Sequence, residues 1–149
     1  MKVKDFVPQA AKRLVTATPE LEIHAVAELL AESGTDLVVV VDEAGKMVGV
    51  VTDTDIVSWV AGKKEGEPWN ATAGSLMSTT IFSCTPDQVF GSVVNDAVSR
   101  RYKHFPIVDG EMKPVGVVYV SDALIALHKD DQLSTDAMMA YIHQRGRMM

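Results

Sequence analysis

Several things are scarce in this sequence. Among 149 residues there is one cysteine, Cys84, and only 6% of the chain is aromatic. A single thiol closes no internal disulfide and builds no multi-cysteine zinc site. Basic residues are outnumbered, 14 Lys and Arg against 20 Asp and Glu. The resulting net charge of −6 argues against broad attraction to nucleic acid or to an anionic membrane. Long apolar runs are absent: "LVVVV" at Leu37–Val41 falls far short of the ~20 residues of a membrane span. The start, "MKVKDFVPQAAKR", has charge but no apolar stretch of the kind a secretory signal needs. No glycine-rich phosphate loop and no dinucleotide-binding glycine fingerprint occurs. His24, His104, His128 and His143 have no metal-ligand spacing, and no nucleophile–histidine arrangement can be defended. A cytoplasmic, reducing setting is expected, with no metal site, no catalytic residue and no tightly held prosthetic group.

What is present is an internal repeat. Sliding the chain against itself gives one register, at an offset of 67 (Thr85 against Thr18), with Thr18–Val57 laid on Thr85–Leu124 without a gap. Pro19/Pro86, Val26/Val93, Asp42/Asp109, Lys46/Lys113, Gly49/Gly116 and Asp55/Asp122 are among the identities. They fall at turns and strand centres alike, as expected of a tandem duplication.

Each copy reads as the same series of elements. Thr18-Pro19-Glu20 and Thr85-Pro86-Asp87 have the chemistry of helix starts: a hydroxyl N-cap, proline at the first position, an acid in the first turn. Ile23, Val26, Ala27 and Leu30 then follow a helical stripe that Gly34 ends. Two valine-rich strands follow, Val38–Val41 and Met47–Val51, joined by a turn at "DEAG", and a short helix starts near Thr54. Apolar side chains at successive positions predict burial on both faces. In the second copy the corresponding segments are "FPIV", "DGEMK", "VGVVYV" and "SDALIALH". Short strands are expected just before each repeat's first helix, at "LVTA" and "IFSC". The predicted fold is α/β (α+β), two β-α-β-β-α units packed as a pseudo-twofold pair, since one unit alone has a thin core. The expected organisation is a flanking helix and first repeat over 1–61, a polar linker over 62–77, a second repeat over 78–130 and a C-terminal helix and tail over 131–149. Residues before Leu14 are read as lying outside the repeat.

Thr-Pro at each helix start, together with "GVVTDTD" (Gly49–Asp55) and "GVVYVSD" (Gly116–Asp122) after the last strand, resembles the cystathionine-β-synthase (CBS) domain. "PIVDGEMKPVG", Pro106–Gly116, and "SLMSTTIFSCTPD" resemble further motifs of that family, and the resemblance covers roughly Leu14–Lys129. It implies a paired, non-catalytic regulatory module with two clefts between its units, binding adenosine-type nucleotides such as AMP, ADP or ATP. It also implies a homodimer and a protein partner in another chain.

The chemistry of the junction fits such a ligand. An aspartate near a helix start is an acceptor for two ribose hydroxyls, and the threonine three residues earlier lies where free N–H groups favour an anion. By the family's pattern, one cleft takes Thr52, Thr54 and Asp55 with Lys103, His104 and Pro106, and adenine lies near Ile81 and Phe82. Lys103 and His104 belong to "RRYKH", Arg100–His104, whose counterpart "SGTDL" carries no base. The second cleft, with Ser121, Asp122, Thr16 and Leu37, has Tyr119 in place of the threonine and is expected to be weak or empty. Two other readings stay open: a dimerisation module whose degenerate sites bind no nucleotide, and a small enzyme using Asp53 or Asp55.

Overall fold

The structure, a computed structural model, describes residues 1–129 and 139–143. It resolves into two compact units, each built on one repeat. The first-repeat unit is Arg13–Ile81 with Gly110–Pro114. The second-repeat unit is Met1–Lys12 with Phe82–Asp109 and the chain from Val115.

In the first-repeat unit, strand β1 (Thr16–Ala17) leads to helix α2 (Ile23–Ser33), strands β2 (Leu37–Val41) and β3 (Met47–Thr52), and helix α3 (Asp53–Ala61). The sheet order is β1-β2-β3. β1 runs parallel to β2, Thr16 opposite Val39. β3 runs antiparallel to β2, with Leu37 opposite Thr52 and Val39 opposite Val50. Val38, Val39, Val40 and Val51 are fully buried, as successive apolar residues in a strand covered on both sides must be. Gly34 ends α2 at φ 66°, the left-handed conformation that a residue without Cβ adopts at little cost.

The second-repeat unit holds helix α5 (Phe90–Ser99), strands β4 (His104–Val108) and β5 (Pro114–Tyr119), and helix α6 (Val120–Lys129). β4 pairs with β5, and the backbone bonding repeats. Asp53 N–H donates to Asp36 O at 3.2 Å in one unit; 67 residues on, Val120 N–H donates to Lys103 O at 2.9 Å. The predicted "IFSC" strand shortens to one bridge, Cys84 beside Ile107 in parallel sense. That pair matches Ala17 with Val40, so the register is kept while the strand is lost.

The Thr-Pro segments do not cap helices, which corrects that expectation. They are turns, closed by Leu21 N–H to Thr18 O at 3.2 Å and Gln88 N–H to Thr85 O at 3.3 Å. The helices begin later, at Ile23 and Phe90. Their first N–H groups are satisfied by chain from elsewhere: Ile23 N–H donates to Ala71 O (2.8 Å) and Phe90 N–H to Met1 O (3.0 Å). A side-chain cap is not needed where a carbonyl already receives the orphan donor.

Those carbonyls introduce a second correction. Helix α1 (Val3–Ala10) and helix α4 (Ala73–Leu76) precede the first and second repeats, yet each belongs to the unit built on the other repeat. Val3 and Lys4 N–H donate to Gln88 O and Pro86 O, both at 2.9 Å; Ala73 and Gly74 N–H donate to Leu21 O and Pro19 O, both at 2.8 Å. The acceptors are 67 residues apart and the donors 70, so the lead-in helices are part of the duplication. Residues before Leu14 therefore do not lie outside the repeat.

Each unit has its own core. In the second-repeat unit Phe6 stacks on Phe90 at 4.7 Å, within a cluster that includes Val3, Ala10, Val94, Phe105, Ile107 and Leu127. The other cluster gathers Ala17, Ile23, Val26, Val38, Val51 and Ala73. Of the segment expected to form the C-terminal helix and tail, residues 139–143 are helical and the remainder lies outside the described residues.

Candidate functional site

The junction between β3 and α3 is a reciprocal cap. Thr52 Oγ1 accepts from Asp55 N–H at 3.3 Å, and Thr52 N–H donates to Asp55 Oδ2 at 2.9 Å. This is the hydroxyl-x-x-acid box that satisfies two orphan donors at a helix start. It leaves chemistry to spare. Thr52 accepts with its oxygen and keeps its O–H to donate. Asp55 Oδ1 takes no hydrogen bond from a described residue. Thr54 is exposed, its N–H held by Asp53 Oδ1 at 2.9 Å. Both Thr52 and Asp55 are half-buried at the C-terminal end of β3, where the α3 N-terminus adds positive potential. Leu37, buried, lies opposite Thr52 across the β2–β3 pair; Thr16 is exposed on β1, and Ile81 is half-buried.

In the second-repeat unit the corresponding cross-strand pair is His104 and Tyr119, whose rings lie 5.6 Å apart, tilted at 54°. The exchange of Thr for Tyr at position 119 therefore goes with the exchange of Leu for His at position 104, since residues facing each other across a ladder pack together. Lys103 is exposed, its carbonyl engaged by Val120 N–H. Pro106 is buried in β4 and its carbonyl accepts from Cys84 N–H at 3.1 Å. Ser121 and Asp122 are half-buried at the start of α6.

Arg100 and Arg101 close α5. Arg100 is its C-cap, and Arg101 follows at φ 65°. Arg101 is 67 residues after Gly34, and Met112, at φ 63°, is 67 after Gly45, at φ 82°. The second copy thus holds two side chains in left-handed conformations that the first copy gives to glycine.

Phe82 has more ring partners than sequence reasoning gave it. Tyr102 stacks on it at 5.0 Å and 17°, Phe105 meets it edge-on at 5.2 Å, and the Arg100 guanidinium carbon lies 5.5 Å from its centroid. Tyr102 and Phe105 carried no signal for this, because the contact joins the stretch before α5 to the one after it. Cys84 is buried next to this cluster's strand, and burial pushes its thiol from 9.0 up to about 12, so it stays neutral and unreactive. Among the described residues no group of His, Cys, Asp and Glu could hold a metal ion. No described helix is long and apolar enough to cross a membrane.

Comparison with known proteins matches residues 3–62 and 73–129 to the family model described as CBS domain. An uncharacterized protein of Methanopyrus kandleri is 28% identical over 119 residues, covering 79% of this chain and 60% of that one. The chain spans 60% and 22% of the lengths of the first two curated relatives it matches. Among solved structures, the CBS domain pair of protein MJ0100, in complex with 5'-methylthioadenosine and S-adenosyl-L-methionine, superposes with a TM-score of 0.72. It is 24% identical, over 88% of this chain and 98% of that chain. CBSX2 in complex with AMP gives a TM-score of 0.72 at 20% identity, over 87% of this chain and 98% of the other.

Proposed function

The chain belongs to the CBS-domain family, and from that premise we propose that it is a non-catalytic regulatory module that binds an adenosine-type nucleotide. The observation that carries this reading is the unspent chemistry at β3–α3. After mutual capping, Thr52 retains a donor and Asp55 retains an acceptor oxygen, beside a helix N-terminus. A ribose hydroxyl fits Asp55 Oδ1, and a phosphate oxygen fits the Thr52 and Thr54 hydroxyls. Structural relatives crystallised with AMP or with S-adenosyl-L-methionine support the ligand class. Ser121 and Asp122 form the poorer counterpart, because Tyr119 brings a ring packed on His104 where Thr52 brings a small hydroxyl.

Asp55→Asn tests this. The amide oxygen still accepts from Thr52 N–H, while the charge and the second carboxylate acceptor are gone. Calorimetric titration with AMP and with ATP is expected to show a loss of about ten- to a hundred-fold, the worth of charge-assisted hydrogen bonds. Asp122→Asn is expected to change affinity much less. Equal losses at the two positions would remove the asymmetry between the copies, and no binding by the unmodified chain would remove the nucleotide.

A dimer is the second part of the proposal, and α3 favours it. The helix has five apolar residues, Ile56, Val57, Trp59, Val60 and Ala61, yet buries none of its side chains fully. Val57 is 67% exposed and nearby Trp69 60%. Asp53 precedes this face and the exposed Lys64 follows it, so a second copy lying antiparallel would set acid against base twice about a twofold axis. Sedimentation of the protein and of Val57→Glu checks this; a monomer in both would overturn it.

A further inference from the structure

The helices that close the two repeats differ at one position by a whole indole. Trp59 in α3 corresponds to Ala126 in α6 at the 67-residue offset, and Gly62 corresponds to Lys129. In the first-repeat unit, Trp59 packs on the core together with Leu76 and Met77 of the lead-in segment. In the second-repeat unit, helices α1 and α6 instead border a cavity of about 300 Å³, lined by Met1, Gln9, Asp122, Ile125, Ala126 and Lys129. The four α6 residues recur at i, i+3, i+4 and i+7, one stripe of the helix. They lie apart from Val120, Ala123, Leu124 and Leu127, which form the buried face.

The chemistry along that stripe is ordered. A carboxylate, Asp122, stands at one end and an ammonium, Lys129, at the other, seven residues or ~10.5 Å along the axis. Between them are the Ala126 methyl and the Ile125 side chain, 59% exposed, with the Gln9 amide on the α1 side. The volume is that of the smaller pockets that take drug-sized ligands, and the lining is half apolar, Met1, Ile125 and Ala126, and half polar, Gln9, Asp122 and Lys129. We propose that this groove binds a small flat aromatic acid. Its ring takes the place that the Trp59 indole fills in the other unit, its anionic group pairs with Lys129, and a ring N–H or hydroxyl donates to Asp122. The proposal requires neither the Thr52–Asp55 junction nor Lys103; it shares with the poorer second-copy site only Asp122, which also has a partner within the protein.

The test uses the full chain and two probes, indole-3-acetate and neutral indole, followed by amide chemical shifts. Indole-3-acetate at millimolar concentration is expected to move the amides of Gln9, Ile125 and Ala126, with no change in Asp55→Asn. Ala126→Trp, which copies the first repeat, is expected to weaken the acid by at least about ten-fold while leaving the melting temperature unchanged or higher. Should that variant unfold, Lys129→Glu decides: a loss for indole-3-acetate with none for indole supports the groove. Absence of shifts in α1 and α6 overturns the proposal, as does equal binding by the wild type, Ala126→Trp and Lys129→Glu. Displacement of the probe by AMP overturns it too, since the groove would then be part of a nucleotide site.

Discussion

Arg101 and Met112 have backbone conformations that their own side chains disfavour. The positions are left-handed in both copies, and only the first copy fills them with glycine. A left-handed residue with a Cβ costs about 1–2 kcal/mol, and glycine gives back part of that gain through the freedom of its unfolded chain. Arg101→Gly and Met112→Gly are therefore each expected to stabilise the fold by about 0.5–1 kcal/mol. Urea denaturation measures this, and a loss of stability would mean that the side chain contributes contacts worth more than the strain. At Gly34 and Gly45 an added Cβ would meet nothing within 4 Å, so Gly34→Arg isolates the backbone effect with the opposite sign.

Cys84 adds a pH dependence at the same scale. Burial holds its thiol protonated up to about 12, against 9.0 without burial. The unfolded chain thus releases this proton first, and the stabilisation is complete below pH ~9 and lost as pH rises toward ~12. Comparing the alkaline stability slope of the wild type with that of Cys84→Ala isolates this group. Identical slopes would show that the thiol is accessible in the folded state.

At the scale of elements, the strands and the junctions after them were legible in the sequence, because runs such as "LVVVV" and "GVVT" permit little besides a buried strand and its turn. The helix starts were misread for a physical reason. Thr-Pro-acid is good capping chemistry, but the orphan donors of α2 and α5 are met by backbone carbonyls more than forty residues away, at Ala71 and Met1, and local propensity holds no trace of that. The local geometry of the candidate site was legible to a similar extent. Thr52 and Asp55 belong to one turn and follow a pattern of spacing, whereas the packing of Tyr102 and Phe105 on Phe82 depends on non-local contacts. The contact of His104 with Tyr119 lies between these cases, since the offset already pairs them as Leu37 and Thr52 are paired.

The glycines before these junctions give an element-scale prediction. A Cβ on Gly116 would lie 2.7 Å from Ala10 Cβ and 2.9 Å from the Ala10 backbone carbon. A Cβ on Gly49 would collide with the Met77 side chain, whose Sδ and Cγ can rotate away but whose Cβ, 2.9 Å off, cannot. Gly116 meets the Ala10 carbonyl carbon and the Ala11 nitrogen as well as a Cβ, so Gly116→Ala is expected to cost about 1–3 kcal/mol and Gly49→Ala somewhat less. Equal costs in chemical denaturation would show that α1 shifts as readily as a methionine side chain.

For the whole molecule, the exchanged lead-in helices mean that neither repeat, cut out by its sequence boundaries, carries its own complete core. The second-repeat unit takes Val3, Phe6 and Ala10 from the far end of the chain, all of them buried. The first-repeat unit takes Ala73 from the segment that leads out of it. Removing residues 1–12 should therefore spare the neighbouring first repeat and strip the distant second one. Burying a large apolar side chain contributes about 1.5–3 kcal/mol, and Phe6 also loses its stack on Phe90. Three buried side chains and the bonds to Pro86 and Gln88 are a large part of the ~5–15 kcal/mol that holds a domain of this size. Hydrogen exchange on the truncated chain is expected to show protection lost over α5, β4, β5 and α6 and largely kept over α2, β2 and β3. Loss confined to the first repeat would contradict the exchange. Uniform loss would show that the two units unfold as one cooperative body, and that the duplication carries no independent stability in either half.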